Sequence, residues 1–332
     1  MTVIYRENEA NPRALDGCQV AVLGYGNLGR PMALNLRDSG LKLIVGSNDE
    51  PSTNQARADG FEVVEISEAA SRADIKLLML PDEAMPEVYM RNVFPTLRPG
   101  HTLVFGSGFN VAFGFIEPPP FVDVLLVAPR TIGTGVREGY LRGQGFLSFV
   151  AVGQDATTKA WDRLLALALY SGTLRAGAIE LTFRQEAELD LFIQQALIPA
   201  LHTLMTNAAE LLIKEGYPPE AALLDLYISG ELSYTLQKAA ELGLMDTIKL
   251  HSLTAQYGIL SRGDRFQEPK TRRQMELVLD EIRNGKFAQE WASEYANGYP
   301  RLEALRQKRE KLPLWQLEQQ VMELLRQSPP LP

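Results

Sequence analysis

Three glycines near the amino terminus constrain the fold of this chain more than any other feature. Gly24, Gly26 and Gly29 follow a short apolar run, Val20–Leu23, and precede residues with helical periodicity. This strand, turn and helix with G-x-G-x-x-G spacing is typical of a Rossmann dinucleotide site, and a glycine turn without a ligand is the disfavoured alternative. The turn brings backbone and helix N–H groups to a pyrophosphate. The predicted contacts are Gly24, Tyr25, Gly26, Asn27, Leu28 and Gly29.

The segment after the second predicted strand, Leu41–Val45, is expected to contact the adenosine ribose. The predicted contacts there are Ser47, Asn48, Asp49 and Ser52. Asp49 and Glu50 suit ribose hydroxyls and repel a 2′-phosphate, which favours NAD(H) over NADP(H). Two alternatives remain open: Ser47, Ser52 and Thr53 hold a phosphate, or the segment is a solvated acidic loop.

Apolar runs alternate with helical segments up to residue 182, which predicts a buried parallel sheet. Polar residues follow three of these strands: Pro81 and Asp82 after Ile75–Leu80, Ser107 after His101–Phe105, and Arg130 after Val122–Ala128. Open α/β sheets bind ligands at the carboxyl ends of their strands. We therefore expect the cofactor and substrate at this edge, although the turn around Ser107 also reads as a plain turn. The remaining predicted strands are Phe61–Val64, Phe146–Val152 and Gly177–Phe183.

The composition changes near Thr182, and the rest of the chain is predicted to be helical. Gln185–Glu215 reads as one long helix kinked at Pro199, and a second helix runs from Pro218 to Gly243 with Gly230 inside it. The sequence thus predicts an α/β Rossmann domain over residues 1–182 and an all-α domain over residues 183–327. Residues 328–332 are predicted to be a disordered tail.

Composition excludes several classes of protein. The net charge is −8, and no basic block is interleaved with aromatic residues, so nucleic acid and anionic membrane surfaces are poor partners. A single cysteine, Cys18, leaves no disulfide framework and no cysteine-based zinc site. From these residues we expect no signal peptide and no apolar run of membrane-spanning length. The expected location is the cytoplasm.

With these motifs in place, the whole sequence resembles the short form of the ketol-acid reductoisomerase family. The resemblance implies a knotted all-helical second domain, a homodimer or higher oligomer that shares its active sites between subunits, and NAD(P)H as hydride donor. The segments that carry it are Gly24–Gly29, Leu80–Glu83, Pro86–Tyr89, Gly108–Asn110, Val127–Pro129, Asp190–Phe192, Gln195, Glu231–Leu232 and Thr254–Gly258.

This chain departs from the family at the metal-binding and catalytic positions. The resemblance implies that an Asp and a Glu on one helix bind two magnesium ions together with two Glu of the partner subunit. This chain has Asp190, Gln194, Tyr227 and Glu231 at those positions. Magnesium prefers hard, charged oxygen donors, so no magnesium pair is expected, and Asp190 and Glu231 are the candidate ligands if one ion binds. A lone acid on such a helix is also commonly a paired or solvated residue.

Three further family positions complete the predicted catalytic set. The family histidine is Ser107, the family lysine is Arg130, and the substrate-binding serine is kept as Ser252. Hydride transfer can survive without the metal-driven alkyl shift, because it needs only a positioned nicotinamide and an acid or electrophile. Arg130 suits a carboxylate, and Asp190 or Glu231 suits a proton donor.

The predicted function is therefore an NAD(P)H-dependent reductase of a 2-keto acid or imine-like substrate that performs no alkyl shift. Two alternatives remain open. The first is a genuine ketol-acid reductoisomerase of branched-chain amino acid biosynthesis, which converts acetolactate to 2,3-dihydroxyisovalerate. The second is a catalytically inactive dinucleotide-binding protein.

Overall fold

The computed structural model describes residues 2–327, so the predicted tail at 328–332 lies outside the described residues. The chain separates into two compact units that divide between Asp190 and Leu191. The first unit is an α/β structure and the second is helical. This is the predicted fold class.

A nine-stranded sheet forms the centre of the first unit. Its strands are β1 (Ile4–Tyr5), β2 (Val20–Leu23), β3 (Leu43–Gly46), β4 (Val63–Val64), β5 (Ile75–Leu78), β6 (Thr102–Phe105), β7 (Asp123–Pro129), β8 (Ser148–Gln154) and β9 (Ala178–Glu180). The spatial order is β1-β9-β8-β7-β6-β5-β2-β3-β4. The direction in which successive strands are added to the sheet reverses at β2, which pairs with β3 on one side and with β5 on the other. Strands that diverge in this way open a crevice at their carboxyl ends.

The sheet is mixed, which corrects the prediction of a parallel sheet. Strands β2 to β7 are parallel, but β8 runs antiparallel to β7, and β1 runs antiparallel to β9. The connection from Pro129 to Ser148 contains a helix that packs on the first helix of the unit. The connection starts and ends at the same edge of the sheet, where Pro129 at the end of β7 pairs with Ser148 at the start of β8. The strand that follows therefore runs in the opposite direction. The parallel register still places the carboxyl ends of β2, β5, β6 and β7 along one edge.

Both faces of the sheet are buried in apolar cores. Successive side chains along a strand point to opposite faces, so each strand contributes to both cores. Val20 and Val22 pack in one core, whereas Ala21 and Leu23 pack in the other. The helices of this unit are α1 (Gly29–Asp38), α2 (Glu50–Ala58), α3 (Ile66–Arg72), α4 (Met85–Val88), α5 (Phe109–Ala112), α6 (Gly133–Leu141), α7 (Ala160–Ser171) and α8 (Thr173–Ala176), followed by α9 (Phe183–Phe192) at its end.

The second unit consists of helices. They are α10 (Ile198–Lys214), α11 (Pro219–Leu223), α12 (Glu231–Leu242), α13 (Leu253–Arg262), α14 (Pro269–Arg283), α15 (Lys286–Ala296), α16 (Pro300–Glu310) and α17 (Pro313–Gln327). A five-residue π-helical segment, Ile193–Leu197, precedes Pro199 in the helix where a kink was predicted. Such segments are a recognised source of helix irregularity.

The second predicted helix is broken, which corrects the expectation that Gly230 lies inside it. Gly230 has φ of +82° and precedes α12 as its N-cap residue. This left-handed conformation is one that a glycine adopts at little cost, and it ends the π-helical segment Leu224–Ile228 that follows α11. Glu231 consequently begins a new helix instead of continuing the face that carries Tyr227.

One helix within residues 2–327, Phe183–Lys214, is long and apolar enough to cross a membrane by length and composition alone. From Leu191 to Ala209 it has no Asp, Glu, Lys or Arg, but it is interrupted by polar residues such as Gln194, Gln195 and Asn207. Only 11% of its most apolar stretch is buried within the chain. A helix that is buried against another subunit is also apolar and uncharged. Its length and composition therefore do not distinguish contact with a membrane from contact with a protein partner.

Candidate functional site

The glycine turn has the geometry that a dinucleotide site requires. Gly24 has φ of +95°, and an added Cβ would lie 2.6 Å from the carbonyl oxygen of Met79. A Cβ on Gly29 would lie 2.1 Å from the carbonyl oxygen of Gly24, so helix and turn are in close contact. A Cβ on Gly26 would meet no atom within 4 Å. Gly26 therefore faces open space, where a pyrophosphate can approach the backbone.

The loop after β3 is organised by its own polar side chains. Asp49 is the N-cap residue of α2, and its Oδ2 accepts a hydrogen bond from the Ser52 backbone N–H at 2.9 Å. Asn48 accepts one from the Ile66 N–H at 3.0 Å, and the Ser47 hydroxyl donates to the Asp49 carbonyl at 3.2 Å. The hydrogen bonds from Ser52 lower the pKa of Asp49, so this carboxylate is negatively charged at the exposed start of α2.

A cavity of about 270 Å³ lies at the carboxyl edge of the sheet. It is lined by Gly26, Asn27 and Leu28 of the glycine turn and by Pro81, Asp82 and Ser107 from the ends of β5 and β6. Six residues predicted from three separate segments therefore share one cavity. Its position beside the glycine turn is that expected for the nicotinamide half of a dinucleotide.

Arg130, at the end of β7, forms two ion pairs with α9. Its Nη1 lies 3.1 Å from Glu186 Oε1, and its Nη2 lies 2.8 Å from Asp190 Oδ1. The guanidinium also lies over the Phe149 ring, 4.9 Å from the ring centroid. Both terminal nitrogens are thus engaged by carboxylates of the chain itself. The predicted role of Arg130 as a substrate-carboxylate ligand would need one of these pairs to open.

Glu186 is a buried member of this cluster that the sequence prediction missed. It is 2% exposed, and its Oε2 accepts a hydrogen bond of 2.6 Å from the backbone N–H of Gly108. Burial raises the pKa of Glu186 to about 7 despite that hydrogen bond and the positive charge of Arg130. Its spacing of four residues from Asp190 on one helix face was the signal that could have found it.

Asp82 is the second acid at this edge whose pKa is raised. Burial and the negative charges of Glu83 and Asp190 raise the pKa of Asp82 to about 6, whereas the Ser107 hydroxyl opposes this shift. The Ser107 Oγ lies 3.5 Å from Asp82 Oδ2. Groups that titrate close to neutral pH inside a cavity are typical of sites that move protons.

The other predicted catalytic residues, Glu231 and Ser252, belong to the second unit. Each begins a helix: Glu231 is the first residue of α12, and Ser252 is the N-cap of α13, where its hydroxyl accepts from the Ala255 N–H at 3.3 Å. Tyr227, which stands at a family metal position, donates its hydroxyl hydrogen to Glu318. Burial and this bond raise the pKa of Tyr227, so the phenol stays neutral.

The side chains at the four family metal positions have the following partners and charges within one chain. Within residues 2–327 of one chain, no group of three or more His, Cys, Asp or Glu side chains is arranged to hold a metal ion. Asp190 is paired with Arg130, Gln194 is neutral, and Tyr227 is a protonated phenol. Two of the four positions therefore carry a carboxylate, which is the donor type that magnesium prefers.

Comparison with known proteins identifies the family. Residues 14–177 match the acetohydroxy acid isomeroreductase NADPH-binding domain, and residues 183–327 match the ketol-acid reductoisomerase C-terminal domain. The chain belongs to the ketol-acid reductoisomerase family. As a member it is an NAD(P)-dependent oxidoreductase with a Rossmann-type NAD(P)-binding domain.

Three relatives illustrate the similarity. The ketol-acid reductoisomerase (NADP(+)) of Caldivirga maquilingensis is 40% identical over 91% of this chain and 92% of its own length. The ketol-acid reductoisomerase (NAD(P)(+)) of Metallosphaera sedula is 41% identical over 90% of this chain and 89% of its own length. The solved structure of an NADH-preferring ketol-acid reductoisomerase from an uncultured archaeon has a TM-score of 0.90 and 35% identity, covering 97% of this chain and 99% of that one.

Proposed function

We propose that this protein is an NADH-preferring reductase of a 2-keto acid or imine-like substrate that performs no magnesium-driven alkyl shift. The observation that carries the proposal is the ion pair between Arg130 and Asp190, at 2.8 Å. It places a fixed cation against a carboxylate that a magnesium ion would otherwise need. The neutral side chains Gln194 and Tyr227 at two further metal positions support the same conclusion.

The first unit supplies the cofactor-binding residues of this proposal. Gly26 and the helix that begins at Gly29 hold the pyrophosphate, and the loop at Ser47–Ser52 holds the adenosine ribose. The Asp49 carboxylate disfavours a 2′-phosphate at that loop, which is why we propose NADH. When bound, the reduced nicotinamide supplies a hydride to the carbonyl or imine carbon of the substrate.

The residues of the chain have separate roles in this reduction. Arg130 orients Glu186 and Asp190 and neutralises part of their charge. Asp190 and Glu231 remain candidate proton donors, and Ser252 is proposed to hold the substrate as the family resemblance implies. Ser107 lines the cavity beside the glycine turn, and its hydroxyl lies 3.5 Å from Asp82 Oδ2.

The second unit is proposed to form a homodimer or a higher oligomer. Leu253 is 82% exposed and Tyr257 is 71% exposed, and both lie on α13. Exposed apolar surface of this kind marks a protein interface. We further propose a cytoplasmic enzyme that acts on a small molecule and binds neither nucleic acid nor membrane, since its net charge is −8.

A genuine ketol-acid reductoisomerase is the second candidate. The observation that favours it is the 38–41% identity to proteins of that name over 90% or more of the chain. The two candidates differ in one requirement, because the alkyl shift needs divalent cations and the simple reduction does not.

Oxidation of NADH in the presence of a panel of 2-keto acids and cyclic imines, with chelator and without magnesium, tests the proposal. Turnover of at least one panel member that added magnesium does not increase is the expected result. Turnover that appears only with magnesium would favour the second candidate. Tight NADH binding without turnover of any member, with or without magnesium, would indicate a dinucleotide-binding protein that catalyses nothing.

A further inference from the structure

Asp82 and Ser107 are neighbours in the cavity that the glycine turn closes on one side. Asp82 follows β5 and Ser107 follows β6, and these strands are adjacent and parallel. Their side chains therefore emerge at the same edge, 3.5 Å apart between Ser107 Oγ and Asp82 Oδ2. This is where the reacting end of a bound dinucleotide is expected.

The direction of the contact between these two side chains depends on whether Asp82 is protonated. The backbone N–H of Phe109 donates to Ser107 Oγ at 3.2 Å and occupies one lone pair of this oxygen. The Ser107 hydroxyl donates to Asp82 when the carboxyl is ionised, whereas a protonated Asp82 can donate to the remaining lone pair of Ser107 Oγ and leave the Ser107 hydrogen for the substrate. Asn110, which is 1% exposed, donates from Nδ2 to the Asp82 carbonyl at 2.9 Å. The same amide lies 3.5 Å from Asp82 Oδ1. The carboxyl is thus held by two uncharged donors.

Three acids act on Asp82, and two of them, Glu186 and Asp190, are themselves paired with Arg130. Glu83 is its chain neighbour, and Asp190 and Glu186 interact with it from α9. Negative neighbours and burial both favour the protonated carboxyl, and the pKa of Asp82 is raised to about 6. Asp82 can therefore hold a proton within about a unit of neutral pH.

We propose that Asp82 and Ser107, in place of Asp190 or Glu231, form the proton donor of the reduction, with Ser107 passing its hydroxyl proton to the substrate and Asp82 replacing that proton. The inference rests on the proposed function, which supplies the hydride. The hydride forms the new C–H bond, the substrate oxygen or nitrogen takes the Ser107 proton as the double bond becomes single, and the Asp82 O–H bond breaks to restore Ser107. Asp82 is left as a carboxylate and takes its next proton from solvent.

The pairing explains why a serine can stand at this position. The resemblance places a histidine here in the family, and an imidazole titrates close to neutral pH without help. A serine hydroxyl does not titrate in that range, so it can deliver a proton only if an adjacent acid returns one. Asp82 is the acid within hydrogen-bonding reach of Ser107.

The first part of the test needs no turnover. Infrared spectra of the full-length protein with bound NADH, recorded between pH 4 and pH 8, follow the carboxylic-acid band that Asp82→Asn removes. We expect a midpoint close to pH 6. Ser107→Ala should move it upward, since a hydrogen bond that favours the carboxylate is lost. A midpoint close to pH 4, or no response to Ser107→Ala, would overturn the inference.

The second part uses any panel substrate that the unmodified protein reduces. Asp82→Asn and Ser107→Ala should each lower kcat on the order of 100-fold, which is the lower range for loss of a general acid. NADH affinity should change much less than kcat, because the backbone contacts of the glycine turn to the cofactor remain in both variants. The decrease of kcat as the pH rises through about 6 should disappear in Asp82→Asn.

Glu83→Gln is the matched control, because it removes a neighbouring negative charge and leaves the Asp82 carboxyl in place. It should lower the infrared midpoint of Asp82 and keep kcat at low pH. Full kcat in Asp82→Asn would refute the inference while leaving the proposed reduction intact. An infrared midpoint close to 6 with no substrate reduced would refute the proposed function and support the proton-holding pair.

Discussion

Arg130 Nη2 lies 2.8 Å from Asp190 Oδ1, so the guanidinium at the end of β7 is bound to the first carboxylate of the family metal site. The second terminal nitrogen of Arg130 binds Glu186. An Arg in this position supplies one permanent positive charge without a coordination requirement. We propose that this charge takes over part of the role that two divalent cations have at the family metal positions.

Cofactor preference follows from the loop after β3. NADH should bind more tightly than NADPH by about 1–3 kcal/mol, because a 2′-phosphate would approach the Asp49 carboxylate. Fluorescence titration with both cofactors measures the difference. Asp49→Asn keeps a side chain that can cap α2 and removes the charge, so the preference should shrink about tenfold.

Asp16→Asn is the control for that titration, because Asp16 precedes β2 at the opposite edge of the sheet. It should leave the ratio of the two affinities unchanged. Tighter binding of NADPH by the unmodified protein would contradict the assignment and would indicate Ser47, Ser52 and Thr53 as a phosphate site.

Stability should depend on pH through Glu186. Its pKa is higher in the folded chain, about 7, than in the unfolded chain, so the folded state binds more protons between about pH 4.5 and 7. The free energy of unfolding should therefore fall as the pH rises through this range, by at most about 3 kcal/mol. Urea unfolding at several pH values measures it, and Glu186→Gln should flatten the dependence. A free energy of unfolding that rises over this range would show that folding does not raise the pKa of Glu186.

Assembly is the third prediction. The exposed apolar side chains of the second unit should be buried in an interface of more than about 2,000 Å², which is the size of obligate dimers. Light scattering should show a dimer or a larger oligomer at micromolar concentration. Leu253→Glu with Tyr257→Glu should dissociate it, whereas Leu141→Glu, at a 64% exposed residue of α6 in the first unit, should not. A monomer at micromolar concentration would refute the prediction.

Restoring the family metal ligands is the fourth prediction. Gln194→Glu together with Tyr227→Glu supplies the two missing carboxylates, and calorimetry should then detect magnesium binding. Either single change supplies only three of the four and is the matched control. Isomerase activity also requires Ser107→His if the family histidine takes part. A double variant that binds no magnesium would mean that the changed ligands are not what prevents binding.

Sequence reasoning predicted the features that depend on local spacing. The glycine turn at Gly24–Gly29 and the cavity residues Asp82 and Ser107 come from strand ends, whose positions follow from apolar periodicity. The antiparallel direction of β8 and the break at Gly230 depend on packing that the sequence pattern does not encode. Glu186 was missed because its partners Arg130 and Gly108 lie more than 50 residues away.

The most direct test of the central claim is incubation of the unmodified protein with acetolactate, NADH or NADPH, and millimolar magnesium, with the product identified by NMR. We expect no 2,3-dihydroxyisovalerate, and no magnesium binding by calorimetry on the same sample. Asp190 and Glu231 supply only two of the four negative charges that a magnesium pair needs nearby, and Asp190 is already paired with Arg130. Formation of 2,3-dihydroxyisovalerate with two bound magnesium ions would contradict the account and would establish the isomeroreductase reaction for this chain.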